Sequence, residues 1–476
     1  MHKVLKEKYI LIALAILAIL SFLFWFFYNP VKDLSVSLPG LDKRPDSNEV
    51  LAEDVKIGEK FEFYADEVSA LTGKWTRFRG ADFDNINKEK IKLIDKWGAN
   101  GPKINWKVNL GEGHSAPVIY NGKVYILDYE ETKKSDALRC FSLETGKELW
   151  KRAYKVHVKR NHGMSRTVPA ITDKYIVTIG PRGHVMCTNP QNGNLLWGLD
   201  MVKQYKAVIP FWYTGQCPII DKDTAILAPG GNAILIGVDC STGKVVWETP
   251  NPDKWQMSHS SIIPMVFAGK KMYVYTAIGG ICGISAEGSD RGKVLWKTNE
   301  FAPSVVAPSP LILDNGKILI TAGYGVGTAV LQIKKEAGNF TVKVSQRYKP
   351  SEGIASEQQT PILNNGYVFA ILPKDAGASR NQMVCCKEGD CTKILWTSGK
   401  SDRFGLGPYI IADGKFFILN DDGTLSIAKA NSQKFTPLDK VRVIEGQDAW
   451  GPMAIADGRL LMRDSKQMVC IDIRAN

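Results

Sequence analysis

Short apolar runs separated by turn residues recur through most of this chain at nearly even intervals. Most follow a proline, and these prolines lie 44 to 52 residues apart: Pro117, Pro169, Pro218, Pro264, Pro310, Pro361, Pro408 and Pro452. The runs are rich in β-branched and aromatic residues, and several flank an Asn-Gly or Asp-Gly pair, which favours a tight hairpin. A period of about 40–50 residues built from hairpins predicts a β-propeller. Proline suits the first residue of a strand, so we interpret all eight as structural.

A glycine followed four residues later by a tryptophan forms a second repeated feature. The pairs are Gly146 and Trp150, Gly193 and Trp197, Gly243 and Trp247, and Gly292 and Trp296. Trp396 ends the sixth repeat without the glycine, and the fifth and seventh repeats lack the tryptophan. Tryptophan buries a large apolar area. We therefore predict that these side chains pack between neighbouring blades.

The two ends of the repeat array predict how the ring closes. After Pro452 there is room for about three strands, one fewer than a four-stranded blade needs. Ahead of the first proline, the segment 104–110 reads as an outer strand and carries the same tryptophan, Trp106. Closure by strand exchange would remove exposed sheet edges. The sequence thus predicts an all-β fold, an eight-bladed propeller whose last blade takes its outer strand from the segment 104–110.

A 20-residue stretch near the N-terminus, from Tyr9 to Tyr28, contains no charge and no proline. As a helix it would span about 30 Å, the thickness of the hydrocarbon core of a bilayer. A cleaved signal peptide would have a shorter apolar core and a small-residue cleavage site. We therefore predict a single transmembrane helix acting as a signal-anchor, with the preceding lysines placing the N-terminus inside. The expected organisation is a cytoplasmic stub and anchor in residues 1–28, a tether in 29–73 and the propeller in 74–476.

The net charge of +12 over 476 residues is too small to indicate nucleic-acid binding. One segment is more strongly basic and contains Lys151, Arg152, Lys155, Lys159, Arg160 and Arg166, with His157 and His162 between them. Two interpretations remain open for it. It is a solvated inter-blade loop, or it is a landing site for an anionic envelope polymer or a phospholipid headgroup.

Nine cysteines require explanation in a domain expected outside the cytoplasm. Cys140, Cys187 and Cys386 lie ten residues before the tryptophans of their blades, which predicts buried thiols within the repeat. Cys386 and Cys391 are separated by a four-residue turn, so a disulfide across a hairpin is feasible. A vicinal bridge between Cys385 and Cys386 is a rarer option.

The region from Trp75 to the C-terminus resembles the pyrroloquinoline-quinone-repeat propellers, also called quinoprotein-alcohol-dehydrogenase-like proteins. The glycine–tryptophan pairs and the hairpins after the prolines carry this resemblance. The segment Trp75-Thr-Arg-Phe78-Arg79-Gly80 is similar to a Trp-x-x-Phe-Arg-Gly element that often precedes such propellers in envelope proteins. The family includes calcium- and quinone-dependent dehydrogenases. It also includes non-enzymatic members that bind other proteins, among them the propeller subunit of the outer-membrane protein assembly machine.

The segments before the eight prolines are expected to reach the funnel at the centre of the ring. Carboxylates are sparse in them: Glu112, Glu357 and Asp448. The predicted ligand-binding residues at the funnel mouth are His114, Arg160, His162, Arg166, Trp212, His259, Gln358 and Trp450. These groups either satisfy the backbone at the channel mouth or form a pocket with aromatic walls and polar anchors for a small molecule. Histidine triads can bind a transition metal, but this spacing does not demand one.

Two functional hypotheses follow. In the first, the chain is a binding or assembly platform of the cell envelope that is not an enzyme, anchored in the inner membrane with the propeller on the periplasmic side. Its partners would be envelope proteins or an anionic envelope polymer, with no nucleic acid and no cofactor. In the second, it is a quinone- or metal-dependent oxidoreductase acting on an alcohol or sugar. That alternative implies pyrroloquinoline quinone (PQQ) with calcium.

Overall fold

The computed structural model describes residues 2–28, 54–67, 69–446 and 448–475. Within the first range, helix α1 spans His2–Phe27. Its segment Lys8–Phe27 is long and apolar enough to cross a membrane, a property that an anchor shares with a signal sequence. Residues 29–53, the larger part of the expected tether, lie outside the described residues.

The remaining ranges fold into eight β-sheets, one for each predicted repeat. Four strands precede the first blade: β1 (Lys60–Phe63), β2 (Lys74–Trp75), β3 (Ile86–Asn87) and β4 (Lys103–Asn109). Blade 1 contains β5 (Val118–Tyr120), β6 (Lys123–Glu130), β7 (Ser135–Ser142) and β8 (Glu148–Lys155). Blade 2 contains β9 (Ala170–Ile171), β10 (Ile176–Ile179), β11 (His184–Thr188) and β12 (Leu195–Asp200), followed by helix α2 (Met201–Tyr205). Blade 3 contains β13 (Ile219–Asp221), β14 (Thr224–Leu227), β15 (Ala233–Asp239) and β16 (Val245–Pro250).

The second half of the ring repeats the same four-stranded unit. Blade 4 contains β17 (Ile263–Phe267), β18 (Lys270–Ala277), β19 (Gly280–Ser285) and β20 (Val294–Thr298). Blade 5 contains β21 (Leu311–Ile312), β22 (Lys317–Ala322), β23 (Gly327–Glu336) and β24 (Asn339–Tyr348). Blade 6 contains β25 (Ile362–Asn364), β26 (Tyr367–Ile371), β27 (Met383–Lys387) and β28 (Asp390–Thr397). Blade 7 contains β29 (Tyr409–Ala412), β30 (Lys415–Leu419), β31 (Thr424–Lys429) and β32 (Pro437–Arg442), and blade 8 contains β33 (Ala454–Ala456), β34 (Arg459–Arg463) and β35 (Gln467–Asp472).

Strand β4 completes blade 8, which confirms the predicted closure. It pairs antiparallel with β35, in a register that sets Asn109 opposite Gln467 and Trp106 opposite Cys470. Arg463 reinforces the junction, since its buried guanidinium donates to the carbonyls of Gly111, at 3.1 Å, and Ser465, at 2.9 Å. Blade 8 is thereby joined to the chain that enters blade 1.

Six of the eight prolines immediately precede an inner strand, as predicted, and two do not. Pro264 is the second residue of β17, and Pro452 lies two residues before β33. Near the prolines, backbone N–H groups donate sideways to the next blade: Val168 to Cys217 Sγ at 3.2 Å, Cys217 to Ser261 Oγ at 2.9 Å, Ser261 to Ser309 Oγ at 3.2 Å, and Ser309 to Thr360 Oγ1 at 2.8 Å. This series of bonds links blades 2 to 6 around the axis.

The tryptophans pack between blades, as predicted, and four of them (Trp106, Trp150, Trp197 and Trp247) meet a glycine of the following blade. A Cβ added at Gly193 would lie 2.9 Å from the Trp150 ring, and one at Gly243 would lie 2.7 Å from that of Trp197. Gly146 approaches Trp106 in the same way. The glycine is therefore needed because only a residue without a side chain allows this approach. The repeated pair is a contact between blades and not within one.

The segment 54–65, which was expected to belong to the tether, packs on the propeller instead. Strand β1 pairs antiparallel with β8, so blade 1 has a fifth, outer strand. The ring of Phe61 lies beside Trp150, and the Arg152 guanidinium lies 4.7 Å from the centre of the Phe61 ring. Apolar and aromatic contacts therefore hold this part of the chain on the propeller.

The segment 74–87, named the plug here, crosses the centre of the ring. Strand β2 pairs with the inner strand β5 of blade 1, and β3 pairs in parallel with β29 of blade 7. Between them, the Thr76 carbonyl accepts from Ile171 N of blade 2, at 2.9 Å, and Arg79 Nη2 donates to the Pro361 carbonyl before blade 6, at 3.1 Å. Blades 2 and 6 stand on opposite sides of an eight-bladed ring. The plug therefore closes one end of the central channel.

All nine cysteines are buried free thiols in the structure. The feasible bridge between Cys386 and Cys391 is not formed, although the two side chains are neighbours. The nearby Cys391 thiol and burial both raise the pKa of the Cys386 thiol. A raised pKa keeps the thiol protonated, the form that reacts poorly.

Candidate functional site

A cavity of about 310 Å³ lies on the axis of the propeller and is named the axial funnel here. Its walls come from the segments that enter the inner strands, as predicted, and also from the turn between β22 and β23 and from the loop after β26. Phe78 of the plug lines the cavity as well. The axial funnel is therefore a blind pocket with Phe78 at its closed end.

Seven of the eight predicted ligand-binding residues line the axial funnel: His114, His162, Arg166, Trp212, His259, Gln358 and Trp450. Arg160, which was predicted at the funnel mouth, is not among the residues that line the cavity. Its side chain is exposed, and its Nε donates to Glu112 Oε2 at 2.7 Å. The neighbouring carboxylate holds the guanidinium outside the cavity.

The basic segment around Arg160 does not form one surface. Lys151 is buried against Glu130, with 2.7 Å between Nζ and Oε1, and Arg152 is buried and donates to the Gly58 carbonyl at 2.7 Å. Arg166 faces the axial funnel instead. The charges that would have attracted an anionic polymer are thus divided among separate environments.

His114 and Trp450 form one wall where blade 8 meets blade 1. Their rings stack with centroids 3.5 Å apart and an angle of 15° between the planes. The backbone N–H of His114 donates to the Ser165 carbonyl at 2.8 Å, and Gln359 Nε2 donates to the Trp450 carbonyl at 3.1 Å. Burial, and then the nearby Arg166 and Arg463, lower the pKa of His114 well below its usual value. His114 is therefore a neutral, fixed part of the wall.

Arg166 supplies a cation beside this wall. Its Nη2 donates to the carbonyls of Asn161, at 3.2 Å, and His162, at 2.5 Å, and the guanidinium carbon lies 5.8 Å from the centre of the Trp450 ring. Burial lowers the pKa of Arg166 to about 10, so it remains charged at neutral pH.

The opposite wall contains Trp212 and Tyr324, whose ring planes differ by 10° with centroids 6.0 Å apart. Lys374 Nζ lies 5.7 Å from the centre of the Tyr324 ring. Glu357 also lines the funnel, and its exposed fraction is 6%. Burial raises the pKa of Glu357, while Lys374 acts in the other direction. This wall therefore combines aromatic faces with a cation and a carboxyl group of weakened acidity.

Sequence reasoning missed Phe78, Tyr324 and Lys374 because it considered only the segments before the prolines. Tyr324 had one readable signal, since it stands between Gly323 and Gly325 in a turn that joins two strands. It adopts a positive φ of 59°, which is uncommon for a bulky side chain. Glu357 was recognised as one of the sparse carboxylates but was not placed in the site.

The lining residues do not fit the calcium ion that the quinone-dependent relatives imply. Calcium takes about 6–8 oxygen ligands, usually from several carboxylates. Glu357 is the carboxylate among the lining residues, and it shares the cavity with Arg166 and Lys374. Within the described ranges, no group of three or more His, Cys, Asp or Glu side chains is arranged to hold a metal ion. The chemistry available in the axial funnel is recognition by aromatic faces, two cations and one buried acid.

Comparison with known families gives one match that extends over most of the propeller. The model of the PQQ_2 family, described as outer membrane protein assembly factor BamB, matches residues 93–208, 134–378 and 213–435. Quinoprotein alcohol dehydrogenase PedH from Pseudomonas putida is 24% identical over 196 residues, which cover 39% of this chain and 30% of PedH. The chain therefore aligns with less than a third of that relative.

Two solved structures show the same fold at low sequence identity. The quinohemoprotein alcohol dehydrogenase from Comamonas testosteroni matches with a TM-score of 0.58 and 11% identity, over 85% of this chain and 81% of that protein. BamB from Moraxella catarrhalis matches with a TM-score of 0.51 and 11% identity, over 78% of this chain and 99% of that protein. At this identity the likeness shows a common fold, and it holds for an enzyme and for an assembly factor alike.

Proposed function

Because the chain belongs to the family of the outer membrane protein assembly factor BamB, we propose that it is a binding platform of the cell envelope. In this proposal α1 anchors the protein in the inner membrane, and the propeller stands on the extracytoplasmic side. A partner protein docks on the face that carries the open mouth of the axial funnel. Catalysis is not part of the proposed role.

The observation that carries this proposal is the composition of the blind axial funnel. Aromatic faces and cations line it, and its one carboxylate is buried with a raised pKa. Aromatic residues and arginine are the side chains enriched at the energetically dominant positions of protein interfaces. The set suits recognition better than metal-assisted oxidation.

A quinone-dependent oxidoreductase is the second candidate, and the similarity to PedH favours it. The aromatic walls and the cations Arg166 and Lys374 would suit a flat anionic quinone. The calcium that accompanies the quinone in this candidate lacks a matching set of ligands among the described residues. For that reason we place it second.

Site-specific photo-crosslinking in cells distinguishes the two candidates. A photoreactive phenylalanine replaces Tyr324, which is 49% exposed in the axial funnel, or Val266, which is 71% exposed on β17 and does not line it. The platform predicts a discrete crosslinked envelope protein from position 324, none from position 266, and loss of the product when Trp212→Ala is added.

The same protein, purified with its membrane helix, is then mixed with PQQ and Ca²⁺. A stoichiometric chromophore together with dye-linked oxidation of an alcohol, and no crosslinked product from position 324, would establish the oxidoreductase and remove the platform.

A further inference from the structure

Two buried polar atoms in the axial funnel, on side chains of opposite charge, lack hydrogen-bond partners. They are Nε of Arg166 and Oε2 of Glu357, and neither atom has a partner among the described residues. Both side chains line the cavity. A buried donor or acceptor without a partner costs free energy, and most buried polar groups are therefore paired. Two such atoms in one pocket indicate a site shaped for a ligand.

The unpaired state of these groups is not relieved by an ion pair. The Arg166 guanidinium donates to backbone carbonyls, which are neutral acceptors. Neither Arg166 nor Glu357 forms a salt bridge with the residues that the structure describes, although Lys374 acts electrostatically on Glu357. Each side chain therefore retains a polar atom to which the described residues supply no hydrogen bond.

Arg166 and Glu357 act on the same part of the cavity. The hydroxyl of Tyr324 lies within the electrostatic reach of both: after burial, Glu357 raises the pKa of Tyr324 and Arg166 lowers it. Tyr324 and Trp212 form an aromatic wall there, and Trp450 lies beside Arg166. The cavity therefore offers aromatic faces together with the two polar side chains.

We propose that the axial funnel binds a compact zwitterion, with its anionic group on Arg166, its cationic group on Glu357 and an apolar body against Trp212 and Trp450. The proposal rests on the proposed binding role of this same funnel. It is a narrower claim because it names the ligand chemistry. The volume of about 310 Å³ limits the ligand to the size of an amino acid or of one segment of a peptide.

The test measures binding of a matched set of small molecules to the full chain in detergent by isothermal titration calorimetry. L-Phenylalanine carries both charges, 3-phenylpropionate lacks the amine, and phenethylamine lacks the carboxylate. A blocked tripeptide, acetyl-Glu-Phe-Lys-amide, carries the same charges on side chains. We expect phenylalanine or the tripeptide to bind at least tenfold more tightly than either singly charged compound, and the tighter of the two identifies the source.

Two variants test which side chain binds each charged group of the ligand. Glu357→Gln should abolish the preference for the zwitterion over 3-phenylpropionate, and Arg166→Gln should abolish the preference over phenethylamine. Glu445→Gln removes an exposed carboxylate elsewhere and should change neither preference. Thermal melts of each variant confirm that the fold is retained before binding is compared.

Equal binding of all compounds by the folded wild-type protein, or no binding of any, would overturn the zwitterion proposal. If the crosslink from position 324 is still formed in that case, the platform stands and only the ligand chemistry is wrong. Loss of the crosslink as well would remove the platform itself. If both variants still preferred the zwitterion over the singly charged compounds, the assignment of its charged groups to Arg166 and Glu357 would also be refuted.

Discussion

The outer frame of the propeller and the axial funnel are built from the same repeats but differ in what each repeat contributes. In the frame, the same pair of residues recurs, a tryptophan from one blade against a glycine from the next. In the funnel, the segments before the prolines contribute different side chains, among them His114, Arg166, Trp212 and Glu357. The frame thus provides rigidity through repetition, whereas the funnel has the chemical diversity that selective binding requires.

The largest expected difference concerns two tryptophans. Trp197→Ala in the frame should lower the free energy of unfolding by about 3–5 kcal/mol, because a buried aromatic side chain leaves a cavity. Trp212→Ala in the funnel should cost about 1 kcal/mol. Chemical denaturation of both variants measures the difference. If Trp212→Ala were as costly as Trp197→Ala, the funnel would be part of the structural core.

A buried carboxyl group of the frame should control stability through pH. Asp136 is fully buried, accepts from Tyr154 Oη at 2.7 Å, and has its pKa raised by burial to about 7. Because the pKa of Asp136 is higher in the folded state, its protonated carboxyl group stabilises the fold. This stabilisation is complete below the unfolded pKa of 3.8 and is lost as the pH rises through about 7. The free energy of unfolding should therefore fall by up to about 1.4 kcal/mol per pH unit in that window.

Asp136→Asn keeps the acceptor for Tyr154 and should remove this slope, so the variant gains stability over the wild type at pH 8. Melting curves from pH 4 to 8 provide the measurement. Parallel curves for the two proteins would show that Asp136 ionises freely in the folded state.

A matched pair of glycines separates the frame contact from backbone strain. Gly243 (φ +73°) and Gly366 (φ +76°) share the left-handed conformation, but a Cβ meets Trp197 only at Gly243. Gly366→Ala should cost about 1 kcal/mol, and Gly243→Ala should cost 1–2 kcal/mol more because the ring must move. The midpoints of chemical denaturation of the two variants measure this difference. Equal destabilisation by the two substitutions would mean that the Trp197 ring moves aside at no cost in free energy.

The smallest effect is expected for Arg160→Ala. Because this exposed side chain pairs with Glu112 outside the cavity, its loss should change neither the melting temperature nor the affinity for phenylalanine. Isothermal titration calorimetry with phenylalanine, carried out on Arg160→Ala and Arg166→Gln together, provides the comparison. A loss of affinity in Arg160→Ala would instead indicate that the Arg160 side chain reaches the funnel mouth.

The frame could be predicted from the sequence because its physical causes are local and repeated. Prolines, tight turns and tryptophans recur at a fixed period, and the unpaired segment 104–110 supplied the strand that the last repeat lacked. The mouth of the funnel could be predicted in part, because residues before the prolines reach the axis in most blades.

The plug and the second set of funnel loops could not be predicted in this way. Phe78 reaches the cavity through pairing of β2 and β3 with distant inner strands, and nothing periodic marks those partners. Tyr324 and Lys374 come from turns that vary between repeats. The position of Arg160 depended on a single carboxylate, Glu112, whose reach is set by three-dimensional packing.

The pairing of β4 with β35 also has a consequence for the order of assembly. Asn109 must meet Gln467, a residue that is synthesised more than 350 positions later. Closing so long a loop is entropically unfavourable and slow. Until the last few residues leave the ribosome, both ends of the growing array keep an open edge. A nascent chain cut short before residue 467 would therefore emerge as an unsealed arc, vulnerable to proteases and to association with its neighbours.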